Sequence, residues 1–448
     1  MSPPTAVAPM PAPTRRAVVR QAWPIILANA SVPLLGLVDT AVIGHYGSEA
    51  DLGALALGAL LVNLAYWSFG FLRMATTGFV AQAAGAGDEA GVRAALARPL
   101  LTGTLLGAAL VGLQWPLAAV FFALMDASEA VSATSRAYFA ARVWGAPAAL
   151  ALYALCGALV GLGRSRSLLL VQLLLNGLNA VLDVLLGGVL DLGARGIGLG
   201  TAIAEWSTCL FAGAWLWRLL RARHRDAAPF LPWRRILEPA AVRGTLAANA
   251  DILVRTLCLL AGFAWFARQG AAFGDATLAA NHVLLQLVSF SAFFLDGFAY
   301  VAEAQVGHAV GARDGARLRA AVRVTSELAV VTAVLLAAGL WLAGGTVVGW
   351  LAALPEVTGR AAAYLPWTAL YVLLSVAAFQ LDGVFIGATR TRQMRNASVL
   401  SLAVFLAFAV PLAGAFGNHG LWAAFVVFVV ARALALLPYY RQLLAEAR

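Results

Sequence analysis

The 448-residue chain has no lysine, three cysteines, five histidines and few charged side chains of any kind. Charged residues make up 12% of the sequence, whereas hydrophobic residues make up 62%. Cys156, Cys209 and Cys258 each lie inside an apolar stretch without paired spacing, which argues against a disulfide framework and gives no metal-binding motif. The histidines are also dispersed, so we expect no metal site and no cofactor.

Apolar stretches of about twenty residues, the length that a helix needs to cross a bilayer, recur along the whole chain. Backbone groups in lipid must be bonded within each segment, and the stretches lack the alternating pattern of membrane β-strands. The sequence therefore predicts an all-α integral membrane protein. Division at glycine, proline and arginine clusters gives twelve transmembrane helices, near 17–44, 53–83, 94–125, 131–162, 167–188, 196–222, 239–268, 277–310, 317–352, 357–388, 396–416 and 419–441.

All 31 basic residues are arginines, and their positions indicate the orientation in the membrane. With twelve spans, 23 arginines fall on one side and four on the other, while Arg73, Arg142, Arg255 and Arg432 lie inside spans. Positively charged loops stay in the cytoplasm, so we predict a multi-pass protein of the cell inner (plasma) membrane with cytoplasmic N- and C-termini. These loops account for the net charge of +10, and no soluble basic domain remains that would bind nucleic acid.

The two halves of the sequence resemble each other at offsets of about 223 to 226 residues. Tyr138, Gly157, Gly161 and Arg164 align with Tyr364, Gly383, Gly387 and Arg390, and the loop GAGD aligns with GARD. Each half has six spans, so both repeats enter the membrane from the same side. The pattern predicts two six-helix bundles related by a pseudo-two-fold axis along the membrane normal, with a central cleft between the lobes.

The longest and most basic connection, RARHRDAAPFLPWRR, falls between the halves and is interpreted as a linker. The expected domains are a disordered cytoplasmic tail at 1–16, an N-terminal six-helix lobe at 17–222, a cytoplasmic inter-lobe linker at 223–238, a C-terminal six-helix lobe at 239–441 and a cytoplasmic C-terminal tail at 442–448.

Polar residues in the N-terminal half form one pattern within apolar sequence. Asn176, Asn179 and Asp183 occur at i, i+3 and i+7, which is one face of a helix. Asp39 near the outer end of the first helix and Thr201 near the start of the sixth lie at the same depth, because a helix rises about 1.5 Å per residue. Such a set can share a proton or supply oxygen ligands to a hard monovalent cation. The alternative is a satisfied polar contact between packed helices.

Three residues are expected to support this N-terminal site. They are Asn176, from the helix face described above, together with Pro24 and Tyr138. Pro24 and Pro33 are predicted to interrupt the first helix on the cytoplasmic side of Asp39, since each removes a backbone hydrogen bond. Protonation could then change the bend, although proline is also common in membrane helices generally.

The C-terminal half carries a separate polar set, which consists of Asn249, Asp251, Arg255, Asp296, Glu303, Gln380 and Asp382. Asp251 and Arg255 are spaced i, i+4, and we expect a structural salt bridge between them that lowers the cost of insertion. The remaining acids outnumber this partner. Their excess negative charge could attract a cationic compound or form a second ion route.

Several motifs resemble one transporter family over nearly the whole chain. They are WPIILANASVPLLGLVDTAVIGHYG, FLRMATTGFVAQAAGAGD, RVWGAPAAL, LDGFAYVAEAQVG and DGVFIGATRTRQMRNA, which are similar to the multidrug and toxic compound extrusion (MATE) family and its branch named for DNA-damage-inducible protein F. The resemblance implies an alternating-access antiporter, driven by a proton or sodium gradient, that expels organic and often cationic compounds. It also implies coupling roles for Asp39, Asn179, Asp183 and Thr201. Ala250 departs from the charged residue expected in the seventh helix, which weakens the case for a C-terminal ion site.

We therefore expect secondary active efflux of small organic molecules in exchange for protons, with sodium coupling as an alternative, by a monomer in the lipid bilayer. A flippase for lipids or lipid-linked precursors is the second alternative, and it would need arginines free to bind phosphate. An intramembrane enzyme is disfavoured because no nucleophile with a base and no metal cluster is evident. Aromatic residues expected to line the cleft are Tyr66, Trp67, Tyr138, Trp144, Phe290, Phe293, Phe294 and Tyr300.

Overall fold

The computed structural model describes residues 13–123, 128–224, 228–351 and 354–446. Within these ranges the chain forms sixteen α-helices and no strand, which confirms the predicted all-α class. The helices are α1 (Arg15–Ala30), α2 (Val32–Tyr46), α3 (Glu49–Ser68), α4 (Phe71–Gly85), α5 (Glu89–Gly112), α6 (Gln114–Ala123), α7 (Glu129–Arg142), α8 (Ala146–Gly161), α9 (Ser165–Leu182), α10 (Gly193–Arg223), α11 (Trp233–Ile236), α12 (Pro239–Ala271), α13 (Asp275–Gly311), α14 (Gly315–Leu351), α15 (Pro355–Gly387) and α16 (Thr391–Glu446).

Ten helical stretches of the described chain are long and apolar enough to cross a membrane. The 31-residue α10 is a further long helix, and α16 contains a non-helical residue, Gly417, that divides it into two. With these two additions the helices correspond to the twelve predicted spans. Gly417 has φ +58°, a conformation that glycine adopts without the steric penalty of a side chain.

The first span is broken between α1 and α2, at Ser31. Pro33 lies in the first turn of α2, where a missing backbone N–H costs little, so the break occurs just before it. Pro24 was also predicted to interrupt this helix, but it lies inside the continuous helix α1. At the break, the hydroxyl of Ser31 donates a hydrogen bond to the carbonyl of Ala28 at 2.7 Å.

The described chain separates into two compact units. The N-terminal unit comprises residues 27–246, and the C-terminal unit comprises residues 13–26 together with 247–446. The predicted lobe at 17–222 therefore differs from the N-terminal unit at both ends, because that unit also contains the predicted linker and residues 239–246 of the predicted C-terminal lobe. Residues 17–26 group with the other unit because they pack there: Gln305 donates to the side-chain oxygen of Gln21 at 3.3 Å, and Gly297 lies against Ile26.

Matching close contacts within each unit reflect the internal repeat. In the N-terminal unit Gly161 lies against the carbonyl oxygen of Thr77, where an added Cβ would be 2.7 Å away. In the C-terminal unit Gly387, 226 residues later, has no room for a Cβ against the carbonyl oxygen of Glu303. Small residues let helix backbones approach closely in membranes. The aligned glycines therefore mark the same helix–helix contact in each half.

The loops GAGD and GARD also adopt the same turn. Gly87 has φ +70° and the aligned Arg313 has φ +54°. After each, an aspartate caps the next helix: Asp88 accepts from the Gly91 amide at 2.9 Å, and Asp314 accepts from the Arg317 amide at 2.8 Å. A side-chain oxygen at this position satisfies one of the free amides of the helix start.

Candidate functional site

Asp183 lies where the backbone of the fifth span changes from an α-helix to a π-helix. Helix α9 ends at Leu182, and the π-helical segment Asp183–Val189 follows without a break. Gly187 and Gly188 lie on this segment against Ile197 and Tyr46, where larger residues would collide. A π-helical turn rotates the side chains relative to a regular helix and is frequent at functional sites. The Asp183 side chain is thereby fully buried.

Asn179 connects Asp183 to helix α10. Its amide nitrogen donates to Oδ2 of Asp183 at 2.5 Å and reaches the hydroxyl oxygen of Thr201 at 3.3 Å. The Thr201 hydroxyl itself donates to the carbonyl of Ile197 at 2.9 Å, one turn earlier on α10. This hydroxyl therefore presents its oxygen to Asn179 in a fixed direction, and Asn179 is completely buried.

Asp39, on α2, places its carboxyl group within hydrogen-bonding reach of the carboxyl group of Asp183. Two ionised carboxylates are both acceptors, so a hydrogen bond between them requires a proton on one of them. Each also has a buried Oδ1 that meets no donor in the described chain, and the same is true of Oδ1 of Asn179. The structure thus brings Asp39, Asn179, Asp183 and Thr201 together, and we call these four residues the acid site.

Asn176 does not join the acid site, although it lies on the same predicted helix face. Its amide donates to the hydroxyl of Ser31 at 2.7 Å, so it ties α9 to the break between α1 and α2. Tyr138, on α7, is buried and near both acids of the site. Its ring lies against Gly58 of α3, where an added Cβ would collide with it.

An ion pair that the sequence pattern did not predict lies next to the acid site. Arg142, the last residue of α7, donates from Nη1 and Nη2 to the two carboxylate oxygens of Glu205 on α10, at 2.6 and 2.5 Å. Both side chains are buried. The guanidinium also lies over the ring of Tyr66, with 4.9 Å between Cζ and the ring centroid. Glu205 is four residues after Thr201, so the helical spacing was the signal that could have found it.

The predicted salt bridge between Asp251 and Arg255 is wrong, because the structure gives each residue a different partner. Asp251 accepts from Arg395 at 2.8 Å and from the Thr391 hydroxyl at 3.0 Å. Arg255 donates to Asp382 on α15. Although the i, i+4 spacing places both on one face of α12, interhelical partners are better placed to meet them.

Two arginines on different helices lie near the carboxylate of Asp382. Besides its bond from Arg255, its Oδ2 lies 3.8 Å from a guanidinium nitrogen of Arg432 on α16. Asp382 and Asp251 therefore do not contribute to the excess negative charge that the sequence predicted. Asp296 is partly buried on α13, and Glu303 is almost fully buried on the same helix.

Two buried amides of the C-terminal unit have no hydrogen-bond partner in the described residues. They are Asn249 on α12 and Gln380 on α15, and both their amide oxygens and nitrogens are unpaired. At the position 226 residues after Asn179 the unit has Phe405 instead of a polar residue. Phe405 belongs to an aromatic cluster with Phe425 and Phe428, at centroid distances of 6.1 and 5.2 Å. The acid site accordingly has no counterpart there.

Long apolar helices that enclose ion pairs, a pair of carboxyl groups and unpaired amides, in two units of related sequence, define an integral membrane protein of the transporter class. Residues 24–185 and 254–413, most of the chain, match the MatE family model. The protein belongs to the multidrug and toxic compound extrusion family.

Individual relatives agree with this assignment. DNA damage-inducible protein F of Escherichia coli (strain K12) is 37% identical over 428 residues, which cover 95% of this chain and 92% of the relative. A probable multidrug resistance protein NorM of Xanthomonas campestris is 26% identical over 440 residues, covering 94% and 92%. The crystal structure of a MATE protein in complex with MaL6 has a TM-score of 0.86 at 18% identity and covers 98% of both chains, which shows the same fold.

Proposed function

We propose that this protein is a secondary active exporter that exchanges small organic compounds for protons, and that Asp39 and Asp183 form its proton-binding pair. The observation that carries the proposal is the direct approach of two carboxyl groups inside an apolar helix bundle. Buried ionisable groups in membrane helices are costly, and they commonly belong to ion pathways. The family assignment supports a transport role for them.

The local geometry suits reversible proton binding. One proton between Asp39 and Asp183 supplies the hydrogen bond that two carboxylates lack, and its loss leaves two adjacent negative charges that repel each other. Asn179 can remain hydrogen-bonded to Asp183 in either state, because a neutral carboxyl group and a carboxylate both have an oxygen that accepts from an amide N–H. Binding and release therefore change the forces between α2 and the fifth span.

The proton gradient is sufficient to drive export. A proton that moves down a potential of about 100 mV supplies roughly 2.3 kcal/mol, before any pH difference is added. Each 1.4 kcal/mol corresponds to about a tenfold concentration ratio. A single proton thus supports a substantial gradient of the exported compound.

Sodium coupling is the second candidate, and one observation favours it. The acid site contains three buried acceptor oxygens, Oδ1 of Asp39, Asn179 and Asp183, that meet no donor within the described chain. Oxygen atoms of this kind are the ligands that hard cations prefer. The experiment below separates the two ions directly.

Lipophilic organic cations are the proposed substrates, since relatives carry the name multidrug resistance protein. The arrangement of the arginines argues against a flippase for phosphorylated lipids. Arg142, Arg255 and Arg432 each face an acid, and Arg73 also has an interaction partner. A guanidinium group that already binds a carboxylate is a poor receptor for a phosphate headgroup. We further propose an inner-membrane location, cytoplasmic termini and a monomeric state.

The test is transport of a fluorescent organic cation in proteoliposomes, under an imposed proton or sodium gradient. We expect the wild type to respond to the proton gradient, and Asp39→Asn and Asp183→Asn each to reduce that flux at least about tenfold, since both remove a carboxyl from the pair. Asp275→Asn, an exposed acid at the start of α13, is the matched control and should transport normally. Unchanged proton-driven flux in both variants would contradict the proposal, and a response to sodium alone would establish the second candidate.

A further inference from the structure

The ion pair of Arg142 and Glu205 continues the polar network of the acid site. Thr201 and Glu205 are four residues apart on α10 and so lie on the same face of that helix. Thr201 contacts Asn179, which in turn donates to Asp183. Glu205 of the ion pair therefore lies one helical turn from Thr201 of the acid site.

Arg142 is also an electrostatic neighbour of the acids themselves. Its guanidinium acts on both Asp39 and Asp183, and Tyr138, one turn earlier on α7, is near Arg142, Glu205 and both acids. A buried guanidinium can bind a carboxylate strongly because both groups have lost the screening of water. Arg142 is thus hydrogen-bonded to one carboxyl group of the N-terminal unit and interacts electrostatically with two others.

Contacts with neighbouring residues fix the backbone around Arg142. The guanidinium group at the end of its side chain can form hydrogen bonds with different carboxylates. The 3-10 turn Val143–Gly145 follows Arg142 directly, and Trp206 of α10 donates to the carbonyl of Trp144 at 2.9 Å. A Cβ at Gly145 would collide with the carboxylate of Glu205, so glycine there leaves room for the ion pair. Arginine has five N–H donors on a long stem, which allows new carboxylate contacts without movement of the helix.

We propose that Arg142 is a positioning residue of the proton exchange: Glu205 holds it while the pair of Asp39 and Asp183 carries a proton, and it turns toward the pair when that proton leaves. This inference rests on the proposed function. Deprotonation adds a negative charge to a region that already contains Glu205. A guanidinium that turns toward the ionised pair stabilises this added charge. Glu205 in this arrangement is the resting partner of Arg142.

The groups around the ion pair leave few competing explanations for a pH effect. The titratable groups near it are Asp39 on α2, Tyr66 on α3, Tyr138 on α7, Tyr153 on α8, Asp183 after α9 and Cys209 on α10. The tyrosines and the thiol remain neutral over the pH range in which carboxyl groups titrate. The acids and Arg142 therefore carry the charges that change the proton affinity.

We expect the protonation midpoint of the acid pair to shift in opposite directions when Arg142 and Glu205 are replaced. In Glu205→Gln, Arg142 loses its resting anion and favours the ionised pair, so the midpoint of protonation should move to lower pH. In Arg142→Gln the ionised pair loses its cation, so the midpoint should move to higher pH. We expect shifts of about one pH unit, a tenfold change in proton affinity. The double variant should return toward the wild-type midpoint because both charges are removed.

The measurement is the infrared absorption of protonated carboxyl groups, followed against pH on the full-length protein in lipid nanodiscs. Asp39→Asn and Asp183→Asn assign the band to the pair. The pH profile of transport in proteoliposomes is the second readout. Glu89→Gln is the matched control, because Glu89 forms another Arg–Glu pair with Arg223 in the same unit at 2.7 Å, and its midpoint should stay at the wild-type value.

Three outcomes decide the matter. Opposite shifts in the single variants with compensation in the double variant show that both charges act on the pair, as a fixed ion pair would also do. A guanidinium infrared band of wild-type Arg142 that changes at the same midpoint supports its turn toward the pair, and a band that stays unchanged across the titration overturns the inference. Shifts in the same direction, or midpoints equal to that of Glu89→Gln, overturn it and leave the ion pair as a structural bridge. If Arg142→Gln does not fold, Arg142→Lys keeps the charge and should retain a near wild-type midpoint, while Glu205→Gln must still shift to lower pH. Wild-type protein without proton-driven flux would refute the proposed function separately, since the infrared titration does not depend on transport.

Discussion

Asp183 and Glu205 are buried acids of the same unit, yet their partners differ in kind. Glu205 receives two guanidinium N–H groups from Arg142, whereas Asp183 faces the amide of Asn179 and the carboxyl of Asp39. A bidentate guanidinium stabilises the charge of a carboxylate, while a second carboxyl makes the charge depend on a shared proton. The immediate neighbours therefore stabilise the charge of Glu205, whereas under the proposed function the charge of Asp183 depends on the proton that it shares with Asp39.

A residue-scale prediction concerns Gly200, which lies beside the acid site on α10. A Cβ at this position would be 2.8 Å from Oδ1 of Asp183, closer than van der Waals contact allows. We expect Gly200→Ala to displace the carboxyl and to lower proton-driven flux at least about tenfold, with the protein still folded. Gly177→Ala on α9 is the control, since it has open space around it and should transport normally. Equal flux in the two variants would contradict this placement of Asp183.

At the scale of elements, the N-terminal unit contains the irregular spans around the acid site. The first span breaks at Ser31, the fourth contains the 3-10 turn Val143–Gly145 and the fifth becomes π-helical at Asp183. The irregularities of the fourth and fifth spans lie directly after Arg142 and at Asp183, whereas Ser31 is hydrogen-bonded to Asn176 outside the acid site. Irregular helical geometry concentrates at functional sites because it aims side chains that a regular helix would direct elsewhere.

The element-scale prediction concerns Pro24 within α1. Because proline removes a backbone hydrogen bond, α1 can bend there, and we expect Pro24→Ala to stiffen the helix, to lower transport several-fold and to flatten its pH dependence. Pro99→Ala, at another intrahelical proline in α5, is the control and should keep the wild-type pH profile. Transport of Pro24→Ala across pH at the wild-type level would refute a coupling role for the bend.

At the scale of the whole molecule, the two units share helix contacts but differ in what they enclose. The Gly161 contact recurs at Gly387, and the capping turn at Asp88 recurs at Asp314. The position of Asn179, in contrast, is taken by Phe405 in an aromatic cluster. The repeat therefore preserves the scaffold, while the acid site lies in one unit only of the described chain.

This asymmetry predicts different consequences for acids of the two units. Asp382→Asn leaves Arg255 and Arg432 without their carboxylate, so we expect a loss of about 3–5 kcal/mol in the free energy of unfolding. The protein that does fold should keep the wild-type pH profile of transport, unlike Asp183→Asn. Thermal unfolding in detergent and proteoliposome flux measure the two effects. A shifted pH profile in Asp382→Asn would place coupling in the C-terminal unit as well.

The residue types alone predicted most of the fold and the members of the acid site. Apolar length and arginine distribution predicted the twelve helices, because the bilayer imposes one length on every span. Depth counting grouped Asp39, Asn179, Asp183 and Thr201, because a helix has a constant rise. Helix spacing does not identify the partner of a charged group, however, so the pairing of Asp251 with Arg255 was wrong.

The sequence by itself thus determined the number of membrane spans, the internal repeat and the members of the acid site, since each depends on a regular period along one chain. Only the tertiary structure decided which charges meet. It paired Arg142 with Glu205 and Asp251 with Arg395, separated Asn176 from the acid site and placed the π-helical turn at Asp183. Contacts between helices depend on the rotation of each helix and on local breaks, which no single helical period contains.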